Sequence, residues 1–397
     1  MLGLLALVAV VTAIIGGLKI GLSLGLSITL TTIGLGLFMG NLQRALVVAL
    51  LNEDTWMLVL SALTIATLAE LYRITKAVEE LGQGLSSALR DPRLGLAVIP
   101  AVVGLMPIAG GALLSAPVVG SLGAPVGFSA EALAYINVWF RHVLIYSYPF
   151  SQLIVVLSQL TGIPILTLMV TTLPMTILMA AIGAATLLKA KVTPPEQTRR
   201  YHKENIKALI PLGVAVALLI PLVLLVGNWA IPLGTSVAIL VLVKLRKALK
   251  LLPHALISER VGDIILAVVA VVVLREVISL SSVPRELQEV VSGFIRVEIA
   301  IAMLSTLVSI ATGSVMTGLF VSLPILSSLG TESVGSVLLV YTYSFLGYVA
   351  SPTHLCLLYT VKYFKANLIG TYRYLLPSVL LALAAGTVYY LVIWTKG

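Results

Sequence analysis

Ile108-Ala109-Gly110-Gly111-Ala112-Leu113-Leu114-Ser115 and Ile310-Ala311-Thr312-Gly313-Ser314-Val315-Met316-Thr317 are two versions of one pattern, set 202 residues apart. Three positions are identical, and the last pairs two hydroxyl side chains. A second landmark repeats at almost the same spacing. Pro149 and Pro352 each interrupt an apolar run, and they are offset by 203 residues. Two independent landmarks that agree within one residue point to a duplicated unit.

The surroundings of these motifs say what kind of unit is duplicated. The 397 residues are 59% hydrophobic and 10% charged, with mean hydropathy +1.10, far too little charge to cover a soluble domain. Apolar runs such as Leu2–Ile15, Ile206–Val226, Ile264–Leu274 and Leu375–Trp394 recur from end to end. A helix needs about 20 mostly apolar residues to cross about 30 Å of hydrocarbon. The period-2 alternation of a membrane barrel is absent. The sequence therefore predicts an all-α polytopic membrane protein in the cell membrane, with the bilayer as its first partner. The first apolar run follows Met1 with no basic segment or cleavage site, so it is expected to be a retained helix rather than a signal peptide.

Each half is expected to hold the same elements in the same order. In the first repeat, residues 1–188, spans fall near 2–18, 21–39 and 55–74. A polar stretch, Lys76–Arg93, then precedes an interrupted Gly- and Pro-rich segment at 95–127. A span at 131–160 follows, broken near Tyr148-Pro149, and then a span at 163–188. Residues 189–207 form a polar linker with Thr193-Pro194-Pro195-Glu196. The second repeat, 208–397, has spans near 208–226, 229–246 and 262–280. An interrupted segment at 291–329 follows, then a span at 334–361 broken at Ser351-Pro352, and a last span near 373–394.

The basic residues set the orientation. Lys189, Lys191, Arg199, Arg200, Lys203 and Lys207 place the linker in the cytoplasm, because Lys and Arg accumulate in cytoplasmic loops. Counting outwards puts both termini outside. Each half then has five full spans, an odd number, so the halves enter the membrane in opposite senses as inverted-topology repeats. The count requires 95–127 and 291–329 to enter and leave on one side, each as a re-entrant hairpin of two half-depth helices. Two ordinary helices kinked by Gly and Pro are the alternative. Broken or irregular backbone at that depth has to be buried in protein or line a cavity.

Charge and cysteine content exclude several functions. The net charge of +9 sits in short loops, not in a groove for nucleic acid. The lone Cys356 rules out an intrachain disulfide and argues against a structural zinc site. No P-loop, His-Glu-x-x-His, Gly-x-Ser-x-Gly or Asp-rich prenyl-diphosphate motif is present, so the chain is read as not an enzyme.

Candidate binding residues cluster at the two landmarks. Gly110, Gly111, Ser115, Thr312, Gly313, Ser314 and Thr317 lie at the hairpin tips, where small residues and half-helix ends present free backbone groups. The same residues also suit tight helix packing. Asn137, Arg141 and His142 lie in the first broken span. An Arg about 15 Å into a membrane marks a functional site by default and can hold an anion in bidentate fashion, although a paired carboxylate on another helix is the alternative. His142 could as easily bond a backbone carbonyl. Ser351, Thr353 and His354 surround the second break, where Pro352 frees a carbonyl one turn earlier. Acids are scarce inside the spans, which favours sodium near Gly110, Asn137, Thr312 and Ser351, or no coupling ion, over a proton, for which His142 and His354 are the remaining carriers. No other cofactor is expected.

The paired interrupted hairpins and Pro-broken spans resemble the ion transporter superfamily, which includes divalent-anion/sodium symporters, gluconate and citrate permeases and the large membrane subunits of TRAP transporters. Within it, Pro107-Ile108-Ala109-Gly110-Gly111, Ser115-Ala116-Pro117, Asn137-x-Trp139-Phe140-Arg141-His142 and Ser351-Pro352-x-His354-Leu355-Cys356 are similar to an uncharacterised prokaryotic membrane family. The Ser-Asn-Thr hairpin signature of the divalent-anion symporters is missing. The resemblance implies an elevator-type transporter fold, with a scaffold, a moving transport domain and a homodimer. The expected function is secondary active transport of a small anionic solute. The alternatives are a membrane-embedded enzyme acting on a lipid-linked substrate, and a channel or membrane scaffold.

Overall fold

Serine, asparagine or aspartate opens most of the helices, and its side chain takes up a backbone N–H that the first turn would otherwise leave unpaired. The computed structural model describes residues 2–53, 91–105, 112–149, 151–188, 246–283 and 296–393, with isolated positions between 55 and 70 and at 286. The spans expected near 208–226 and 229–246, most of 55–74, the linker 189–207 and the tip residues Gly110 and Gly111 lie outside the described residues.

The first half contains α1 (Leu2–Lys19), α2 (Leu24–Phe38), α3 (Leu42–Leu51), α4 (Pro92–Gly104), α5 (Ala112–Gly123), α6 (Ala130–Val143), α7 (Gln152–Thr161) and α8 (Ile165–Leu187). The second contains α9 (Arg246–Leu256), α10 (Glu259–Ser279), α11 (Val297–Thr312), α12 (Val315–Ser328), α13 (Val334–Ala350), α14 (Leu355–Phe364) and α15 (Leu368–Val388). No strand occurs among the described residues. Three helical stretches, Ile165–Leu187, Val334–Phe364 and Leu368–Leu391, are long and apolar enough to cross a membrane.

The interior is built on α6 and α13. Every residue from Ala132 to Val143 is buried, and α13 exposes almost none of its length. Apolar side chains face outwards instead on the peripheral helices. Leu166, Val170, Leu173 and Ile177 make one such stripe on α8, and Ile369, Leu376 and Leu380 make another on α15. A protein in water rarely exposes so much contiguous apolar surface. Hydrocarbon is the surrounding it fits.

The interrupted segments each form two packed helices. α4 packs on α5, and α11 packs on α12. The second pair is joined by Gly313 and Ser314 alone. Gly313 closes α11 in the left-handed conformation (φ 64°), donating its N–H to the Ser309 carbonyl, and Ser314 caps α12 by accepting from Thr317 N. Both Pro-containing spans break as expected. After α6 the chain makes a short 3-10 turn, Leu144–Tyr146, and restarts at α7 under a Ser151 cap. After α13 it restarts at α14 with His354 in the cap position.

Two short helices, α3 and α9, were not expected. The short helix α3 occupies a stretch read as a connection, because ten residues cannot span a bilayer. Its one buried strip, Ala45 and Ala49, is spaced four apart and packs where α10 runs past.

Two registers tie the halves together. Gly25 N donates to Asp263 Oδ1 (2.9 Å), Thr32 Oγ1 to the Ala270 carbonyl (3.3 Å) and Asn41 Nδ2 to the Val277 carbonyl (3.0 Å). The numbers rise together, so the chain from α2 to the cap of α3 runs parallel to α10. The rings of Tyr146 and Tyr341 stack at 4.9 Å, while His142 meets Phe345 at 6.2 Å and Tyr348 at 5.4 Å. Here the numbers run in opposite directions, so the α6 segment is antiparallel to α13.

Candidate functional site

Helix α6 carries polar side chains one turn apart, Asn137 and then Arg141 with His142, within the stretch Ala132–Val143 that is buried throughout. Helix α14 lies against it antiparallel, so Thr360 faces Asn137 while Cys356 and His354 face His142.

At the first level, Asn137 locks three elements together. Its Nδ2 donates to the Ala112 carbonyl at the start of α5 (3.0 Å) and to Thr360 Oγ1 on α14 (3.0 Å), and its Oδ1 accepts from Ser115 Oγ (2.6 Å). Asn137, Ser115 and Thr360 are all fully buried. A buried amide with donors and acceptor engaged fixes both its own position and that of its partners. Asn137 and Ser115 thus join the first helix pair to the second broken helix.

One turn on, the chemistry becomes basic and soft. His142 and His354 bring their rings to 4.7 Å, edge to face, and Tyr348 stands 4.0 Å from His354. Each of His142, His354 and Cys356 offers one ligand-type atom, and these atoms lie within 4.8 Å of one another. The Arg141 guanidinium is buried beside them, close enough for its charge to act on both the Cys356 sulfur and the Tyr348 hydroxyl. His142 Nδ1 lies 2.6 Å from the Val138 carbonyl. A carbonyl only accepts, so Nδ1 carries the proton and Nε2 keeps its lone pair. That backbone bond is the simpler of the two roles read for His142 in the sequence, and it leaves the second nitrogen for other work.

His354 departs from the local rule. It occupies the cap position of α14, where Ser, Thr, Asp or Asn would bond a backbone N–H, yet its side chain makes no cap bond. It is 1% exposed, and among the described residues neither ring nitrogen meets a hydrogen-bond partner. Buried polar atoms are rarely left so, and a violated local rule is where function is to be sought.

The second hairpin tip closes on the second break. Ser351 Oγ donates to the Ile310 carbonyl near the end of α11 (2.6 Å) and pairs with Thr353 Oγ1 (2.9 Å). A Cβ added to Gly313 would stand 2.7 Å from Thr353 Oγ1. Thr312 Oγ1 bonds back to the Val308 carbonyl. Thr317 Oγ1 is buried and has no hydrogen-bond partner among the described residues. On the other side, α4 approaches so closely that a Cβ on Gly104 would overlap the Arg141 carbonyl oxygen. The described site residues therefore form a chain of contacts. It runs from Gly313 to Thr353, across the neighbouring His354 to His142, and through Arg141 to Gly104.

Cys356, Tyr348 and Thr360 belong to this constellation and were not read as site residues in the sequence. The His354-x-Cys356 spacing was the available signal. Its meaning depends on His142, more than 200 residues away, and that contact is invisible without the fold.

The family model described as "Protein of unknown function (DUF401)" matches residues 1–393, both halves and every site residue included. This chain belongs to the DUF401 family. No curated protein matches it. For this DUF401 member, the buried Arg141–His142–His354–Cys356 cluster is the most distinctive chemistry among the described residues.

Proposed function

We propose that this DUF401 chain is a multi-pass secondary transporter of a small anionic solute, built from two inverted-topology repeats that move by elevator-like alternating access. The observation that carries the reading is the buried Arg141. It sits where the first helix pair, both broken helices and, through Thr353, the second hairpin tip converge. An ionisable side chain deep inside a membrane protein marks a solute pathway by default, and the planar guanidinium fork suits a bidentate anion.

Three features support the inversion. Helices α9 and α11–α15 begin 203–205 residues after α3–α8, element for element. The equivalent helices α6 and α13 run antiparallel, as two halves of opposite sense require. The parallel run of α2 and α10, which fall on the second and third spans expected from the sequence of their respective halves, agrees with the same inversion. Broken helices facing each other across such an axis are a recurrent transporter device.

Arg141 is the anion's main ligand in this reading. Thr317, whose hydroxyl is buried and unpartnered, and Ser314 and Thr353 around the tip complete the pocket. Asn137 and Ser115 hold the frame rather than the cargo, because their polar atoms already satisfy one another. Sodium coupling would use the carbonyl-rich tips and break near Thr312 and Ser351. The enzyme alternative needs a clustered acid, base or metal triad, and the cluster among the described residues is His142, His354 and Cys356.

The test is uptake into proteoliposomes of a panel of labelled carboxylates and inorganic oxyanions, with and without a sodium gradient. Saturable uptake of at least one anion above protein-free vesicles is expected. Absence of uptake, exchange and binding for every anion, with protein that remains monodisperse, would overturn the reading.

A further inference from the structure

We propose that His142, His354 and Cys356 form a three-coordinate binding site for copper(I). The site belongs to both halves, since His142 is on α6 and the other two ligands are at the start of α14. Its three donor atoms lie within 4.8 Å of one another. Ligands of one centre with metal–nitrogen and metal–sulfur bonds near 2.0–2.3 Å stand about 3.3–3.8 Å apart, so side-chain rotation has to close roughly 1 Å.

Each ligand is prepared for the role. The Val138 carbonyl holds the proton of His142 on Nδ1 and leaves Nε2 as a lone pair, which is how an outer-shell carbonyl orients a metal-binding imidazole. Among the described residues both nitrogens of the buried His354 lack hydrogen-bond partners, so no group there competes for the ring. Cys356 is buried and is the chain's one cysteine, so no second thiol competes for the ion or forms a disulfide with it.

Charge and geometry choose the ion. A thiolate with two neutral imidazoles is a soft, nitrogen–sulfur donor set, suited to copper(I) or zinc(II) and not to magnesium, calcium or manganese. Zinc(II) wants a fourth ligand, and with one thiolate it would leave a net positive charge beside the Arg141 guanidinium in a dry interior. Copper(I) accepts three ligands, and with one thiolate the centre is neutral. Binding converts Cys–SH and Cu⁺ into Cys–S–Cu, and the thiol proton leaves to the buffer with no change of oxidation state.

This inference stands apart from the transport reading, because it is measured on detergent-purified full-length chain without a gradient or an anion. Metal-stripped protein is titrated anaerobically with copper(I) against a chromophoric copper(I) chelator. One copper(I) per chain is expected, with about one proton released per ion and thiolate-to-copper absorption in the near ultraviolet. Redox-inert silver(I) should compete for the same site, and zinc(II) should bind more weakly. Cys356→Ser should abolish binding, while His142→Gln and His354→Gln should each weaken it roughly tenfold or more. Should a glutamine variant lose its folded gel-filtration profile, His354→Met decides. A thioether keeps copper(I) binding and lowers zinc(II) binding if the site is real. Copper(I) binding that is absent, that is unchanged in folded histidine variants, or that is no tighter than zinc(II) binding would overturn the proposal.

Discussion

The ring of His142 lies 4.7 Å from the ring of His354, edge to face, although the two residues belong to opposite halves of the chain. Each is prepared differently. His142 is held by a backbone carbonyl on its own helix, and His354 sits at the head of a helix it does not cap. Their meeting makes the two breaks one site, and several consequences can be measured.

The Asn137 lock should be expensive to remove. Asn137→Ala leaves Ser115 Oγ, Thr360 Oγ1 and the Ala112 carbonyl without their shared partner in a fully buried place. We expect a loss of about 1–3 kcal/mol, seen as a lower midpoint of thermal unfolding in detergent. Thr360→Val removes one of these bonds and should cost less. Equal stability of Asn137→Ala and wild type would contradict the role assigned to the amide.

Gly313 should tolerate no side chain. Its φ of 64° disfavours any L-residue, and an added Cβ would press on both the hydroxyl and the carbonyl of Thr353. Gly313→Ala is expected to destabilise by about 2–4 kcal/mol from backbone strain and overpacking together. Thr353→Ala should recover part of that loss in the double variant, because it removes the hydroxyl but not the carbonyl. Strict additivity of the two substitutions would show that the tip and the break are not in contact.

The inversion predicts opposite sides for two equivalent loops. Gly162 ends α7 and Lys365 ends α14, both in the left-handed conformation and 203 residues apart. In a Cys356→Ser background, Thr161→Cys and Lys365→Cys should react with a membrane-impermeant maleimide from opposite faces of oriented vesicles. The charge pattern puts Lys365 on the cytoplasmic face. Labelling of both from one face would remove the inverted-repeat reading.

The helical, membrane-compatible character of the chain was legible in its composition and apolar runs. The two breaks were legible because proline and glycine act locally, and Pro149, Pro352 and Gly313 announce themselves wherever they stand. Arg141 and His142 were legible for a similar reason, as charge deep in an apolar run. The short α3 was not, since ten residues fall below the length that hydropathy can assign. Cys356 was missed because its partners are set by the antiparallel pairing of α6 with α14, a long-range register that no local pattern encodes. Asn137 was found for its polarity but expected to bind solute. Its three hydrogen bonds, to Ser115, the Ala112 carbonyl and Thr360, were not legible, because they depend on the packing of α5, α6 and α14.

The most direct measurement is the comparison of wild type, Arg141→Lys and Arg141→Gln for anion exchange in proteoliposomes. Wild-type protein should exchange at least one small anion. Arg141→Lys should keep the charge but lose the bidentate fork, with exchange reduced by about tenfold or more. Arg141→Gln should abolish exchange while keeping a monodisperse profile. Exchange by Arg141→Gln at the wild-type rate would contradict the account.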